Sequence, residues 1–126
     1  MALRFAPTTT YAQFIEPRAI GRVVAAHLME DNKVIFINEA QTGMVFGFTS
    51  PFVWGASYKT ATEMLWWVEP EERNKKLGKQ LIVRLEAWAR EQGCKLLTLT
   101  SLDSRVGRMY TKAGFKIYER TYIKEL

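Results

Sequence analysis

Four cations fall within the seven residues from Arg73 to Lys79, in the stretch EPEERNKKLGK, where an apolar helical pattern begins. The first turn of a helix carries partial positive charge and unpaired backbone N–H groups, so each exposed cation there costs roughly 0.3 to 1 kcal/mol. A strand, a proline, a basic loop and a helix start form an arrangement that binds phosphate, because the N–H groups converge and the helix dipole adds positive potential. The stretch therefore favours an anion, and phosphate in particular, as its ligand.

The same charge run has a second interpretation, as a solvated surface. Glu69, Glu71 and Glu72 stand beside it and can neutralise part of its charge. The whole chain carries a net charge of +5, which fits nucleic acid, a phosphorylated cofactor or simple solubility. The neighbouring acids argue against nucleic acid, which we do not expect as a partner.

Length and composition predict one soluble domain over residues 1–126, with 48% hydrophobic and 25% charged residues. One cysteine, Cys94, and one histidine, His27, exclude an internal disulfide and a Cys/His zinc site, so we expect no metal. The apolar runs are far shorter than the roughly 20 residues of a membrane span. The N-terminus lacks the charged and apolar segments of a signal peptide. We therefore expect no membrane partner and a cytoplasmic location.

Periodicity predicts a helix and then a hairpin in the first half of the chain. Pro17 suits the first position of a helix near residues 17–30, where apolar residues recur at helical spacing. His27 lies on this helix, and we expect it at the surface or at the rim of a cleft. The stretches KVIFINEA and GMVFGFTSPFVW are rich in β-branched and aromatic residues, which predicts two paired strands. Pro51 is expected to end or distort the second of them.

A third strand is predicted by TATEMLWWVEP, after a loop formed by GASYK. Its adjacent Trp66 and Trp67 must point to opposite faces, because side chains alternate along a strand. A strand with a large aromatic residue on each face is expected to be covered on both sides.

The second half of the chain predicts two helices alternating with two strands. An apolar stripe that begins at Leu77 follows helical spacing until Gly93 supplies the stop. CKLLTLTSL then predicts a buried strand, and DSRVGRMYTKAG predicts a short helix that Asp103 begins and Gly114 ends. The last stretch, FKIYERTYIKEL, predicts a final strand.

Three of these stretches, in this order, resemble the GNAT superfamily of N-acyltransferases. EMLWWVEPEERNKKLG is similar to the strand that leads into the family's acyl-CoA pyrophosphate loop, written Q/R-x-x-G-x-G/A. LIVRLEAWAREQGCKLLTL resembles the helix and strand that follow, and DSRVGRMYTKAGF resembles the closing signature N-x-x-A-x-x-L-Y-x-K-x-G-F. The likeness covers residues 60–126 well and the N-terminal part only in the order of its elements. The form of TEMLWWVEP and the short length further resemble GNAT proteins encoded by phages and prophages.

The resemblance implies an α/β (α+β) fold, a single domain in which helices flank a central, mixed and splayed β-sheet. It also implies that acetyl-CoA is the acyl donor. The strand that ends at Val68 is then expected to lend its backbone to the pantetheine arm, while the loop and helix start bind the pyrophosphate. The cofactor-binding residues implied are Trp66, Trp67, Val68, Arg73, Asn74, Lys75, Lys76, Leu77, Gly78, Lys79 and Asp103.

The chain departs from the family pattern at two positions. Lys76 stands where the middle Gly of the loop is expected, so it must adopt a restricted conformation or tilt its side chain away. Its ammonium can instead contribute charge to the phosphates. Asp103 stands where the signature has Asn, and an ionised carboxylate cannot donate a hydrogen bond to the pantetheine arm. As a helix N-cap, Asp serves as well as Asn.

Acyl transfer from a thioester to an amine needs a deprotonated amine, a polarised carbonyl and a proton for the departing thiolate. By the resemblance, Glu63 stands where many GNAT members place the carboxylate that deprotonates the incoming ammonium, often through water. Tyr110 fills the Tyr of MYTKAGF, the family's general acid or thiolate stabiliser, and a backbone N–H near Val68 is expected to hold the carbonyl. The residues alone also allow Glu63 to face solvent or pair with Lys59, and Tyr110 to be a core aromatic.

The resulting functional hypothesis is an N-acetyltransferase that moves an acetyl group from acetyl-CoA to a primary amine by direct attack in a ternary complex. The alternative is a catalytically inactive, phage-type member of the same fold with a binding or structural role. The amine acceptor stays open between a small molecule and a protein lysine or N-terminus. The oligomeric state also stays open, a homodimer included.

Overall fold

The computed structural model describes residues 11–126, and the first ten residues, on which the signal-peptide prediction bears, lie outside this part. The described residues form one mixed α/β domain with three α-helices, four β-strands and short 3₁₀ turns. None of these helices has the length and apolar content needed to cross a membrane. The elements in chain order are α1 (Pro17–Met29), β1 (Lys33–Ile37), β2 (Gly43–Phe52), β3 (Gly55–Val68), α2 (Leu77–Glu91), β4 (Leu96–Thr98) and α3 (Ser104–Lys112).

The four strands form one sheet in the order β1-β2-β3-β4. The first three strands are antiparallel neighbours, and β4 joins β3 in parallel after the chain has crossed over through α2. Asn38 fixes the turn between β1 and β2, since its Oδ1 accepts hydrogen bonds from the N–H groups of Thr42 at 2.9 Å and Gly43 at 2.8 Å. The predicted hairpin and the mixed sheet are both confirmed.

The predicted loop GASYK is wrong, because these residues open β3. The β2–β3 hairpin extends beyond the core, with Pro51 opposite Lys59 and Phe52 opposite Gly55. Pro51 distorts β2 rather than ending it, since the register shifts between Pro51 and Phe52. Cross-strand hydrogen bonding therefore makes a strand of Gly, Ala and Ser residues whose own preferences indicate a loop.

The sheet carries a hydrophobic core on each face. Trp66 packs against the core on the α2 side, and Trp67 belongs to the core on the α1 side, so the prediction that they point to opposite faces is confirmed. The core on the α2 side consists of Val45, Val68, Leu81, Ile82, Leu85 and Tyr110. The core on the α1 side consists of Met44, Phe46 and Trp67.

His27 belongs to the α1 side of the sheet, and its predicted surface position is wrong. The side chain is only 5% exposed. Its Nδ1 donates to the carbonyl oxygen of Val23 at 2.8 Å, and its ring centroid lies 5.2 Å from that of Phe46. The ring therefore contributes to packing between α1 and β2.

Two strand predictions in the last third of the chain are corrected. The stretch CKLLTLTSL forms only three residues of strand, and Leu96 remains half-exposed. The stretch FKIYERTYIKEL forms no strand in the described structure. Five charged residues interrupt its apolar pattern, and β4 is too short to supply a long row of backbone partners. The charged residues are Lys116, Glu119, Arg120, Lys124 and Glu125.

Asp103 begins α3 as predicted, because its Oδ1 accepts a hydrogen bond from the N–H of Val106 at 2.8 Å. We expect Asp103→Ala to lower the free energy of unfolding by about 1 kcal/mol, the usual cost of removing an N-cap side chain. Asp103→Asn is the matched control and should keep nearly all of the stability, since its amide oxygen can accept the same bond. Urea denaturation of the three proteins measures both effects. Equal losses in the two variants would contradict the capping role.

Candidate active site

The sheet opens between β3 and β4. The two strands pair only from Thr60, opposite Leu96, to Thr62, opposite Thr98. Beyond this point β3 continues to Val68 with β2 as its strand partner, while the chain after Thr98 turns towards α3. The predicted splay therefore lies beside residues 63–68, and a ligand can reach the backbone of β3 there.

A β-bulge determines which side chains of β3 face this opening. Gly47 is opposite Glu63 and Phe46 is opposite Leu65, so Met64 is an extra residue without a partner position. The bulge shifts the side-chain alternation by one residue, which places Glu63 and Trp66 on the same face of the sheet. Both residues thereby lie on the face that also packs against α2 and α3.

Glu63 is a buried carboxyl group, with only 8% of its surface exposed. Its Oε2 accepts a hydrogen bond from the N–H of Thr100 at 3.1 Å. Burial raises the pKa of Glu63 to about 7, against the opposing effect of the Thr100 hydrogen bond. Lys59 instead donates to the carbonyl oxygen of Gln92 at 3.0 Å. The solvent-facing and Lys59-paired alternatives for Glu63 are therefore both excluded.

Tyr110 approaches the same point from α3. Its side chain is 6% exposed, and its hydroxyl donates to the carbonyl oxygen of Thr100 at 3.2 Å. Burial, and secondly the charge of Glu63, raises the pKa of Tyr110 well above its usual value. The phenol is consequently protonated at neutral pH and can act as a hydrogen-bond and proton donor.

Thr100 connects these two side chains through its backbone. Its N–H binds Glu63 and its carbonyl oxygen binds Tyr110, so a carboxyl group that can accept a proton lies close to a phenol that can give one. Sequence reasoning missed Thr100, because a backbone contact leaves no signal in residue type.

The basic loop before α2 adopts a restricted backbone conformation. Lys76 is the N-cap of α2 and has a left-handed φ of 65°, and Asn74 has a φ of 72°. A non-glycine residue in this region costs about 1 to 3 kcal/mol. Lys76 thus takes the restricted conformation that was the first of its two predicted options.

The first turn of α2 presents free backbone donors. The first intrahelical hydrogen bond runs from the N–H of Gln80 to the carbonyl oxygen of Lys76 at 3.0 Å, and no side chain caps the helix. The N–H groups of Leu77, Gly78 and Lys79 therefore have no acceptor within the described part of the chain. They point out of the helix beside the end of β3.

Two of the four cations of this loop, Lys76 and Lys79, have charge that is available for an anion. Lys75 pairs with Glu72 at 3.4 Å, an exposed contact of little energetic consequence. Lys76 and Lys79 are exposed and form no ion pair within residues 11–126. Glu72 therefore neutralises Lys75, while Lys76 and Lys79 keep their charge available.

A family model of the acetyltransferase (GNAT) family matches residues 5–115 of the chain. The chain belongs to the GNAT acetyltransferase family. No curated protein sequence matches it. The predicted resemblance to the superfamily is thereby confirmed.

Solved structures share this GNAT fold over almost the whole chain. A transcriptional regulator from Bacillus halodurans C-125 has a TM-score of 0.78 and 20% sequence identity, covering 99% of this chain and 93% of its own. An acetyltransferase from Trypanosoma brucei has a TM-score of 0.76 and 21% identity, covering 98% of this chain and 89% of its own. At such identities the likeness establishes the fold and leaves the substrate open.

A third structural neighbour was solved with a ligand. The enzyme AAC(6')-Iy, in complex with the bisubstrate analogue CoA-S-monomethyl-acetylneamine, has a TM-score of 0.73 and 20% identity, covering 88% of this chain and 80% of its own. The ligand shows that this neighbour binds a coenzyme A derivative.

Two further predicted cofactor residues of this GNAT chain, Arg73 and Asp103, lie in different places. Arg73 donates from its Nε to the carbonyl oxygen of Val68 at 2.9 Å, and its guanidinium lies 4.7 Å from the ring centroid of Trp67. Asp103 lies apart from this loop, at the start of α3, and its Oδ1 binds Val106 as an N-cap. The end of β3 and the start of α2 are therefore brought together, whereas any cofactor contact of Asp103 stays a prediction.

Proposed function

We propose that this chain is an N-acetyltransferase that transfers an acetyl group from acetyl-CoA to a primary amine by direct attack in a ternary complex. The observation that carries the proposal is the meeting of buried Glu63 and Tyr110 at Thr100, beside the opening of the sheet. A base and an acid are the two proton-transfer groups that the reaction requires. The family membership supports the same chemistry.

The donor set at the start of α2 fits the diphosphate of a coenzyme A thioester. Three backbone N–H groups offer hydrogen bonds, and the exposed Lys76 and Lys79 offer charge. Within the described residues no protein acceptor competes with the diphosphate for these N–H groups. The free edge of β3 up to Val68 is suited to the pantetheine arm, whose amides need backbone partners. Bound acetyl-CoA supplies the thioester carrying the acetyl group.

The proton steps fall to Glu63 and Tyr110. With a pKa of about 7, the Glu63 carboxylate can take a proton from an ammonium near neutral pH, directly or through water. The Tyr110 hydroxyl, which is protonated at neutral pH, can then give its proton to the sulfur that leaves. Removing the proton from the ammonium exposes the lone pair that attacks the acetyl carbonyl.

The second candidate is a non-catalytic GNAT protein with a binding or structural role. It is favoured by Asp103, whose Oδ1 is engaged in capping α3 at the position where the family signature has Asn.

The short phage-type members remain the proposed subgroup, and the cytoplasm remains the proposed location. The acceptor class stays open between small amines and protein amines, although the neighbours include a glucosamine-6-phosphate N-acetyltransferase from Arabidopsis thaliana.

Calorimetric titration with acetyl-CoA tests the proposal directly, and Lys76 provides its sharpest variant. We expect binding in the micromolar range, and we expect Lys76→Gly to weaken it by about tenfold, since a charge-assisted contact to phosphate is lost. The same change should raise the free energy of unfolding by about 1 kcal/mol, because Gly adopts a positive φ without strain.

Lys95→Ala is the matched control, since it removes the same charge beyond the opposite end of α2. It should leave acetyl-CoA affinity unchanged. Tighter binding by Lys76→Gly would show that close backbone approach matters more than charge at this position. Absence of binding by the unmodified protein at high micromolar concentration would overturn the enzymatic proposal.

A further inference from the structure

Trp66 joins the start of α2 to the face of the sheet that carries Glu63. Its indole Nε1 donates a hydrogen bond to the carbonyl oxygen of Gly78 at 3.2 Å. On the other side, its ring centroid lies 6.1 Å from that of Tyr110. The indole thus lies between the first turn of α2 and the ring of Tyr110, the proposed acid.

Gly78 allows this close approach because it has no Cβ. A Cβ at residue 78 would lie 2.6 Å from Cζ2 of Trp66, well inside van der Waals contact. The ring cannot easily yield, because its Nε1 is bonded to the same residue and Tyr110 packs beside it. Trp66 and Gly78 therefore form a matched pair: the indole leaves no room for a side chain at residue 78, and a side chain at residue 78 would displace the indole.

The hydrogen bond from Trp66 also orients one of the free donors. The carbonyl of Gly78 and the N–H of Lys79 belong to the same planar, trans peptide unit and point in opposite directions. The helix already holds this plane, and an indole N–H on the carbonyl oxygen restrains it further, and with it the direction of the Lys79 N–H. It also polarises the peptide and so strengthens the N–H as a donor.

From these contacts we propose that Trp66 is a positioning residue for the diphosphate site, acting through Gly78 rather than by touching the ligand. This inference rests on the proposed function, since it assigns Trp66 a part in holding acetyl-CoA. Trp66 sets the distance of α2 from β3 and restrains the peptide that carries the Lys79 N–H. Loss of the pairing with Gly78 acts on cofactor binding, and a Phe at residue 66 keeps an aromatic ring beside Tyr110, so the chemical step should change little.

Three variants test the pairing: Trp66→Phe, Gly78→Ala and the double variant. Trp66→Phe removes the indole N–H and the part of the ring that faces Gly78. We expect it to raise the KM for acetyl-CoA by about fivefold, the equivalent of one hydrogen bond, with kcat within about twofold of the unmodified protein.

Gly78→Ala alone should raise the KM by about tenfold or more and lower the Tm, because the new methyl group forces the indole and the helix apart. In the Trp66→Phe background the same substitution should cost little, so the double variant should regain Tm and affinity relative to Gly78→Ala. This rescue is a signature of direct coupling between the two sites.

Matched controls separate the pairing from general effects. Trp88→Phe makes the same change in a partly buried tryptophan of α2 that packs against the core on the α2 side. Gly21→Ala adds a methyl group where no atom lies within 4 Å. Neither control should change the KM for acetyl-CoA.

The outcomes distinguish this inference from the proposed function. If the unmodified protein binds acetyl-CoA and the double variant shows the sum of the two single losses, the inference is wrong and the function stands. A Trp66→Phe variant with unchanged KM leads to the same conclusion. If the unmodified protein does not bind acetyl-CoA, the proposed function fails and the positioning role fails with it, whatever coupling the Tm values show.

Discussion

Replacement of Glu63 by Gln is expected to reduce kcat by about a hundredfold or more, the usual contribution of a positioned general base. Gln has nearly the same shape, and its amide oxygen can still accept the hydrogen bond from the N–H of Thr100. It cannot take a proton from an ammonium. Initial rates of coenzyme A release, measured with a panel of polyamines, aminoglycosides and lysine peptides as acceptors, provide the test. An acceptor that Glu63→Gln acetylates at the unmodified rate would rule out this residue as the base.

The pH profile gives the same prediction a second, independent readout. Because burial raises the pKa of Glu63 to about 7, the carboxylate form is populated only above that pH. We expect kcat/KM to rise with pH through this value and then level off. Glu63→Gln, assayed with the same acceptor, should lack this rise in kcat/KM. The comparison separates the titration of Glu63 from that of the amine itself. The same rise in both proteins would mean that it comes from titration of the acceptor amine.

Stability should change in the opposite direction from activity. The pKa of Glu63 is raised from 4.5 to about 7 on folding, so between these values the folded protein binds the proton more strongly than the unfolded chain. The stability that protonated Glu63 contributes is therefore fully present below the lower value and is lost as the pH rises through the upper one, by about 3 kcal/mol in total. Glu63→Gln should not show this loss.

Urea denaturation at about pH 4 and about pH 8 measures the difference between the two proteins. At the lower pH they should be similar in stability. At the higher pH Glu63→Gln should be the more stable protein, because it has no charge to bury. Lower stability of the variant at the higher pH would mean that the Glu63 carboxylate has stabilising contacts which outweigh its burial.

The helices that position the site could be predicted from local sequence signals. The apolar stripe predicted α2 from Leu77, and the side chain of Asp103 predicted the start of α3. Both predictions succeed because caps and helical spacing are encoded within a few neighbouring residues. The residues GASYK were mistaken for a loop for the opposite reason, since their strand conformation comes from pairing with distant residues.

The arrangement of the site depends on features that sequence alone does not reveal. A period of two places Glu63 and Trp66 on opposite faces, and only the bulge at Met64 brings them to the same face. The raised pKa of Glu63 likewise depends on burial by elements far away in the chain. The residue types of Glu63 and Tyr110 could be recognised from the family motif, whereas their common contact with Thr100 required the folded structure.

Replacement of Tyr110 by Phe is expected to reduce kcat by about a hundredfold while leaving the affinity for acetyl-CoA nearly unchanged. The ring keeps its packing beside Trp66 and Phe115, so the cofactor side of the cleft should retain its shape. The hydroxyl, which is the proposed proton source for the leaving sulfur, is lost. Steady-state kinetics together with calorimetric titration of acetyl-CoA separate these two effects.

The structural contribution of the Tyr110 hydroxyl is smaller and can be measured separately. Its hydrogen bond to the carbonyl oxygen of Thr100 is worth about 1 kcal/mol of stability, which cannot account for a hundredfold loss of turnover in a folded protein. Tyr118→Phe removes a hydroxyl from a side chain that is 65% exposed, and it should change neither stability nor rate. If Tyr110→Phe instead weakens acetyl-CoA binding as much as it lowers turnover, the hydroxyl holds the ligand and the leaving sulfur takes its proton from another source.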